Sequence, residues 1–205
     1  MKKVLLSLGA ALLMAAGAQA QTGYGLKAGV NLGKYSNVDD AKNNTSFYVT
    51  GFADLPVGTN FSIQPGISLQ GKGNKLEATG NAGSGSSTIN TMSVEIPVNA
   101  VYYIPTGSGS LFLGAGPYVG FNVSGEQKLE GSLLGANATA KSDINFGSEN
   151  DEMKVVEAGA NFLGGYKFSN GFLINAGYGL GLTNLYNTGD TKSNRVLSFG
   201  VGFQF

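Results

Sequence analysis

Five ionisable side chains, Lys27, Asp54, Glu95, Glu157 and Lys167, fall in segments where every second residue is apolar, and each belongs to the intervening polar series. Side chains alternate across a β-strand, so residues two apart share a face. The five therefore lie on the polar faces of their strands. Burying an unpaired charge is costly, so on an interior face these groups must pair with each other, with Gln64, Asn31, Asn99 or Asn161, or with water. Two uses suit such a set: a polar plug that holds an interior shut, or a path for protons or small solutes. The plug is the expected use, because side chains largely fill a narrow closed sheet.

Other chemistry is restricted by what the chain lacks. Histidine is absent, which removes the commonest general base and any Ser-His-Asp arrangement; the expectation is a protein that is not an enzyme and carries no cofactor. Cysteine is absent too, so there is neither a disulfide framework nor a thiolate metal site. The stretch "GAGPYVG" lacks the spacing and following helix of a nucleotide-binding loop, and its glycines alternate as in a strand. Glu149, Asp151 and Glu152 in "SENDE" offer oxygen ligands for Ca²⁺, but without EF-hand spacing a solvated loop is the expected reading. Lys72, Lys75, Lys154, Lys192 and Arg195 are placed near an outer rim, where they would meet lipopolysaccharide phosphates or water.

The elements that position these groups are eight segments of period-2 alternation, near residues 24–33, 46–55, 61–70, 91–104, 111–124, 155–168, 172–183 and 197–205. "FSIQPGISLQ" sets Phe61, Ile63, Pro65, Ile67 and Leu69 against Ser62, Gln64, Gly66, Ser68 and Gln70. "SFGVGFQF" sets Phe199, Val201, Phe203 and Phe205 against Ser198, Gly200, Gly202 and Gln204. The polar faces hold glycine rather than the Lys, Glu and Arg of a water-exposed sheet, which leaves room for large rings such as Phe112 and Tyr118 in a crowded interior.

Residues 1–20 read as a secretory signal: Lys2 and Lys3, an apolar run from Val4 to Ala16, then Ala18-Gln19-Ala20 as the cleavage site. No later apolar stretch is long enough for a spanning helix, so a closed barrel is the remaining membrane-spanning option. Setting Lys2 and Lys3 aside leaves 11 basic against 13 acidic residues, and nothing here suggests nucleic acid.

Loop lengths point the same way. "PVGTN", "PTGSG" and "SNG" are short turns, whereas the links near 34–45, 71–88, 125–152 and 184–194 are long and polar, with "GNAGSGSST" read as a flexible, water-exposed loop. Alternation of short periplasmic turns with long external loops is the outer-membrane barrel rule. Ten residues at ~3.4 Å each, tilted near 40°, span roughly 26 Å, close to the apolar band of such barrels. Tyr24, Phe61, Tyr102, Tyr103, Phe112, Tyr166, Phe168, Phe172, Phe203 and Phe205 gather at the periplasmic end as a girdle. The expected architecture is all-β: an eight-stranded antiparallel up-and-down transmembrane β-barrel over residues 21–205, in the outer membrane of a Gram-negative cell, monomeric, with outer-membrane lipid and lipopolysaccharide as its surroundings.

The phrases "GLKAGVNLG", "FSIQPGISLQGKG", "VEIPVNAVYYI", "GAGPYVGF" and "RVLSFGVGFQF" resemble the small outer-membrane β-barrel proteins of the Bacteroidetes type, often grouped as PorT-like, and more distantly the OmpX and OmpA barrels. The resemblance implies insertion by the barrel-assembly machinery, with Phe203 and Phe205 in the last strand as the assembly signal. It does not imply one activity. A structural or surface-interaction role through the long external loops is the leading expectation, with no loop ligand specified. A narrow pore for small ions or solutes and an accessory role in protein secretion are the alternatives.

Overall fold

The computed structural model describes residues 22–80, 83–133, 136–189 and 191–205; the expected signal segment lies outside the described residues. Among the described residues there are nine strands: β1 (Gly23–Tyr35), β2 (Asn44–Pro56), β3 (Phe61–Gly80), β4 (Gly83–Thr106), β5 (Gly109–Leu133), β6 (Ala136–Asp143), β7 (Val156–Phe168), β8 (Phe172–Gly181) and β9 (Asn194–Gln204). Antiparallel pairing runs β4-β3-β2-β1-β9-β8-β7-β5, and β4 pairs with β5 to close the ring. The closed wall thus has eight strands, as the alternation predicts. β6 stands outside the ring and pairs only with the upper part of β5.

Closure depends on the first and last strands, joined from Gly25↔Gln204 to Tyr35↔Asn194. The last amide is anchored as well: Phe205 N–H donates to the Tyr24 carbonyl at 2.8 Å. Short turns join β2 to β3, β4 to β5 and β7 to β8 at the end where Gly23 and Phe205 lie. Gly171, with φ 90°, occupies a left-handed position in the last of these turns, where any side chain would be strained.

Burial is inverted relative to a soluble sheet. The outward row is exposed and apolar, with Leu26, Ile67, Leu113, Phe199 and Val201 among its members, whereas Asn31, Ser68, Ser93 and Glu157 are fully buried. Such an apolar surface would be an aggregation hazard in water, and a closed barrel is the β-structure that can face lipid with no unpaired edge. Glycine fits the lumen to its rings: a methyl group built on Gly25 would overlap Phe52, one on Gly159 would overlap Tyr118, and one on Gly165 would overlap Phe112.

One expectation about the long links is corrected. Residues 71–80 and 83–88, which include most of "GNAGSGSST", are not a loop: β3 and β4 continue as a ladder from Gly71↔Met92 to Gly80↔Gly83. Part of the 125–152 link forms the top of β5 and the whole of β6. Together β3, β4, β5 and β6 form a four-stranded sheet that stands above the rim. Its polar sequence gave no apolar row to read, because strands beyond the lipid need none. A register shift beside Met92/Ser93 also breaks the parity of β5 at Val123.

Candidate functional site in the barrel lumen

All five sequence-derived charges point into the lumen, but they form two separate groups. At the short-turn end Asp54 is the acceptor. Gln64 Nε2 donates to its Oδ1 at 3.0 Å, and Tyr103 OH and Gln204 Nε2 donate to its Oδ2 at 3.2 and 3.0 Å. Lys167 Nζ donates to Gln204 Oε1 at 3.3 Å. Lys27 and Lys167 lie over the rings of Phe52 and Tyr103, at 4.3 and 4.6 Å from the centroids, an attraction that desolvation strengthens. Beside this group Phe52, Val101, Phe112 and Leu173 pack as a buried apolar cluster with Tyr103 and Leu163.

The second group brings Glu95 and Glu157 together through a residue read as lying at the outer rim. Lys72 is buried, and its ammonium pairs with Glu95 and donates to Glu157 Oε1. This corrects the external-rim reading of Lys72. Residues 64, 66, 68 and 70 are inward in β3, and continuing that parity by one step places Lys72 inside; the signal was present but hidden by the assumption that the strand ends at Gln70. The register explains the rest: Gly120 on β5 lies between Glu95 on β4 and Glu157 on β7. A glycine there leaves space for both carboxylates to converge on one ammonium. Asn194 Nδ2 donates to Glu157 Oε2 at 2.7 Å, and the Tyr118 ring lies 4.9 Å from Lys72 Nζ.

Between the groups is a cavity of about 90 Å³ lined by both lysines, Lys27 and Lys72, and by Tyr48, Gln70, Asn99 and Asn175 among others. Ser198, Gln70 and Ser68 of its wall are linked by a hydrogen-bonded chain that runs through Asn31. Ser198 Oγ donates to Asn31 Oδ1 at 2.7 Å, Asn31 Nδ2 to Gln70 Oε1 at 2.7 Å, and Gln70 Nε2 to Ser68 Oγ at 2.8 Å. Above the Lys72 group the long loops close the mouth with a second apolar cluster: Tyr35, Met153 and Leu185, with Val38, Ile89, Ile144, Phe146 and Tyr186 against it. The acidic loop is tied into this cap, for Asn187 Nδ2 donates to the Gly147, Glu149 and Glu152 carbonyls at 3.2, 2.7 and 3.2 Å.

Polar side chains and two apolar clusters therefore interrupt the lumen at successive heights. Such an interior can hold a barrel rigid and keep charges paired; among the described residues it contains no cluster of metal-ligating side chains. Of the girdle aromatics, Tyr103 and Phe112 turn inward to serve these groups, whereas Tyr24, Phe61, Tyr102, Phe168, Phe172, Phe203 and Phe205 are exposed on the outer surface. Phe203 and Phe205 meet edge to face, 5.3 Å between centroids.

A family model described as the outer membrane protein beta-barrel domain matches residues 18–187. Comparison with curated proteins finds no match. Solved structures give three barrels of similar extent. Ail, the attachment invasion locus protein of Yersinia pestis, is 14% identical, over 91% of this chain and 100% of that one, with a TM-score of 0.42. Neisserial surface protein A is 16% identical, over 89% and 97%, with a TM-score of 0.48. The N-terminal barrel domain of Pseudomonas aeruginosa OprF is 12% identical, over 91% and 100%, with a TM-score of 0.40. The chain belongs to the outer-membrane β-barrel domain family, and the outer membrane is its location.

Proposed function

We propose that this outer-membrane barrel is a non-enzymatic surface-interaction protein whose lumen is a plug and whose contacts are made by the sheet above the rim. The observation that carries this reading is the projecting sheet itself. Its outward face is polar throughout and ordered in rows across the strands. Thr79, Ser84, Ser132 and Asn137 form one row; Glu77, Ser86, Glu130 and Thr139 the next; Lys75, Thr88, Lys128 and Lys141 the third. Three exposed ion pairs cross the rows, Lys75–Glu77, Lys128–Glu130 and Lys141–Glu126. The opposite face carries Leu76, Leu129, Ala138 and Ala140, with both leucines exposed. A two-faced sheet whose backbone is already hydrogen-bonded is an economical contact surface, since only its side chains remain to be ordered on binding.

Cells displaying the full chain should bind a panel of immobilised extracellular proteins and glycans, or other cells, better than cells displaying a barrel whose two hairpins are cut back to Gly73–Asn90 and to Gly125. The shortened barrel must still migrate differently on a denaturing gel with and without boiling. Equal binding by both forms would overturn the proposal.

The remaining parts of the reading concern the membrane. The outward apolar row would contact lipid, and the rim cations that stay outside, Lys34 with its cross-strand neighbour Arg195 and Lys75, Lys154 and Lys192, would face lipopolysaccharide phosphates. Phe203 and Phe205 would be read by the barrel-assembly machinery, and the mature barrel would act as a monomer after removal of the signal segment. A PorT-like accessory role in secretion rests on the phrase resemblance, and co-purification with a secretion complex would support it.

A further inference from the structure

We propose that Lys27 and Lys167 hold one small monovalent anion, of chloride size, inside the short-turn end of the lumen. Both lysines line a cavity of about 10 Å³, whose wall is completed by the side chains of Phe52, Gln64, Tyr103 and Gln204 together with Phe112 and Leu173. A space of ~10–15 Å³ on this measure takes a single water-sized species. The space is at the lower bound for one water, so a halide enters only as the flexible ends of Lys27 and Lys167 draw back, and sulfate, phosphate or an organic acid is too large.

The charge around the cavity selects the sign. Two ammonium groups face it, against a single carboxylate, that of Asp54. Asp54 is already the acceptor for Gln64, Tyr103 and Gln204, and neither lysine lies within ion-pair distance of any carboxylate among the described residues. Lys167 has one amide oxygen, at 3.3 Å, and Lys27 has a ring face. Lys72 differs, since two carboxylates meet it. The short-turn layer thus carries two ammonium groups against one carboxylate, and that carboxylate already accepts three hydrogen bonds. Buried ammonium groups in that state need a partner.

The full chain, folded in detergent micelles, should be unfolded by heat at constant ionic strength in gluconate, chloride and bromide. The expected result is a midpoint that rises by several degrees and saturates with chloride or bromide, but not with gluconate. Lys27→Met with Lys167→Met, which keeps the length of both side chains, should remove the halide increment while leaving the gel shift of a folded barrel. Crystals grown in bromide give a second readout that needs no variant: an anomalous peak in contact with both Nζ atoms. Midpoints that do not distinguish the halides from gluconate, an increment that survives in the double variant, or a map with no anomalous scatterer between the lysines would each overturn the proposal. If the double variant does not fold, the anomalous map decides.

Discussion

The same pair of residue types, lysine with glutamate, is used in two places with opposite consequences. In the lumen Lys72, Glu95 and Glu157 have side chains 2–4% exposed. On the projecting sheet Lys128 and Glu130 meet at 2.7 Å with 34% and 46% of their side chains exposed. Geometry alone does not separate these pairs; solvent does. Removing one member of a buried group strands the others in a medium that cannot solvate them, whereas an exposed partner simply returns to water. The lumen is therefore where sequence change is punished, and the sheet above the rim is where it is tolerated, which is the division expected of a rigid scaffold that presents a variable surface.

The sharpest way to break this contrast is Lys72→Met. It leaves Glu95 and Glu157 facing each other and should destabilise the barrel by ~3–5 kcal/mol, measured by urea unfolding in micelles. Neutralising the stranded pair as well, with Glu95→Gln and Glu157→Gln, should restore most of the loss; a triple variant as unstable as the single one would mean that Lys72 contributes packing rather than charge. Next in size is Val201→Arg on the outward row. Val201 pairs with Ala28, midway along the apolar run of β1, and arginine near the midplane should cost ~2–4 kcal/mol and lower the folded fraction recovered from membranes.

Smaller effects separate the two regions by crowding. Gly165→Ala drives a methyl group against the Ile174 carbonyl and the Phe112 ring and should cost ~1–3 kcal/mol. Gly131, on the projecting sheet, has nothing within 4 Å of an added methyl, so Gly131→Ala should leave the unfolding midpoint unchanged. Smallest of all is Lys128→Ala, which breaks an exposed ion pair and should shift stability by no more than ~1 kcal/mol.

How much of this was legible in the sequence follows the lipid boundary. Between Tyr24 and Leu32, or Phe61 and Leu69, lipid demands apolar residues on one face, so strand, face and barrel all show as a period-2 pattern. Above the rim the demand ends. Lys75, Glu77 and Thr79 point the same way as Ile67 and Leu69 did, and the ladder becomes invisible to a reading based on hydrophobicity. The interior charges were found because an apolar neighbour lay on each side of every one. Their grouping was not, since it depends on register: Glu95 and Glu157 meet across Gly120, and Lys72 reaches them only because β3 runs on past Gln70. Gly73 marks where that strand leaves the barrel, at φ 144° with no space for a side chain beside Ile89, a residue choice that has a reason only once the strand is known to continue.

In the proposed plug, the short-turn cluster, the Lys72 group and the loop cap shut the lumen in series. Single-channel recording of the purified protein in planar bilayers tests it most directly. No steady conductance step is expected, for the wild type and equally for Glu95→Gln. A stable conductance whose size or ion selectivity changes when Glu95 is neutralised would contradict it and make the interior charges the lining of a pore.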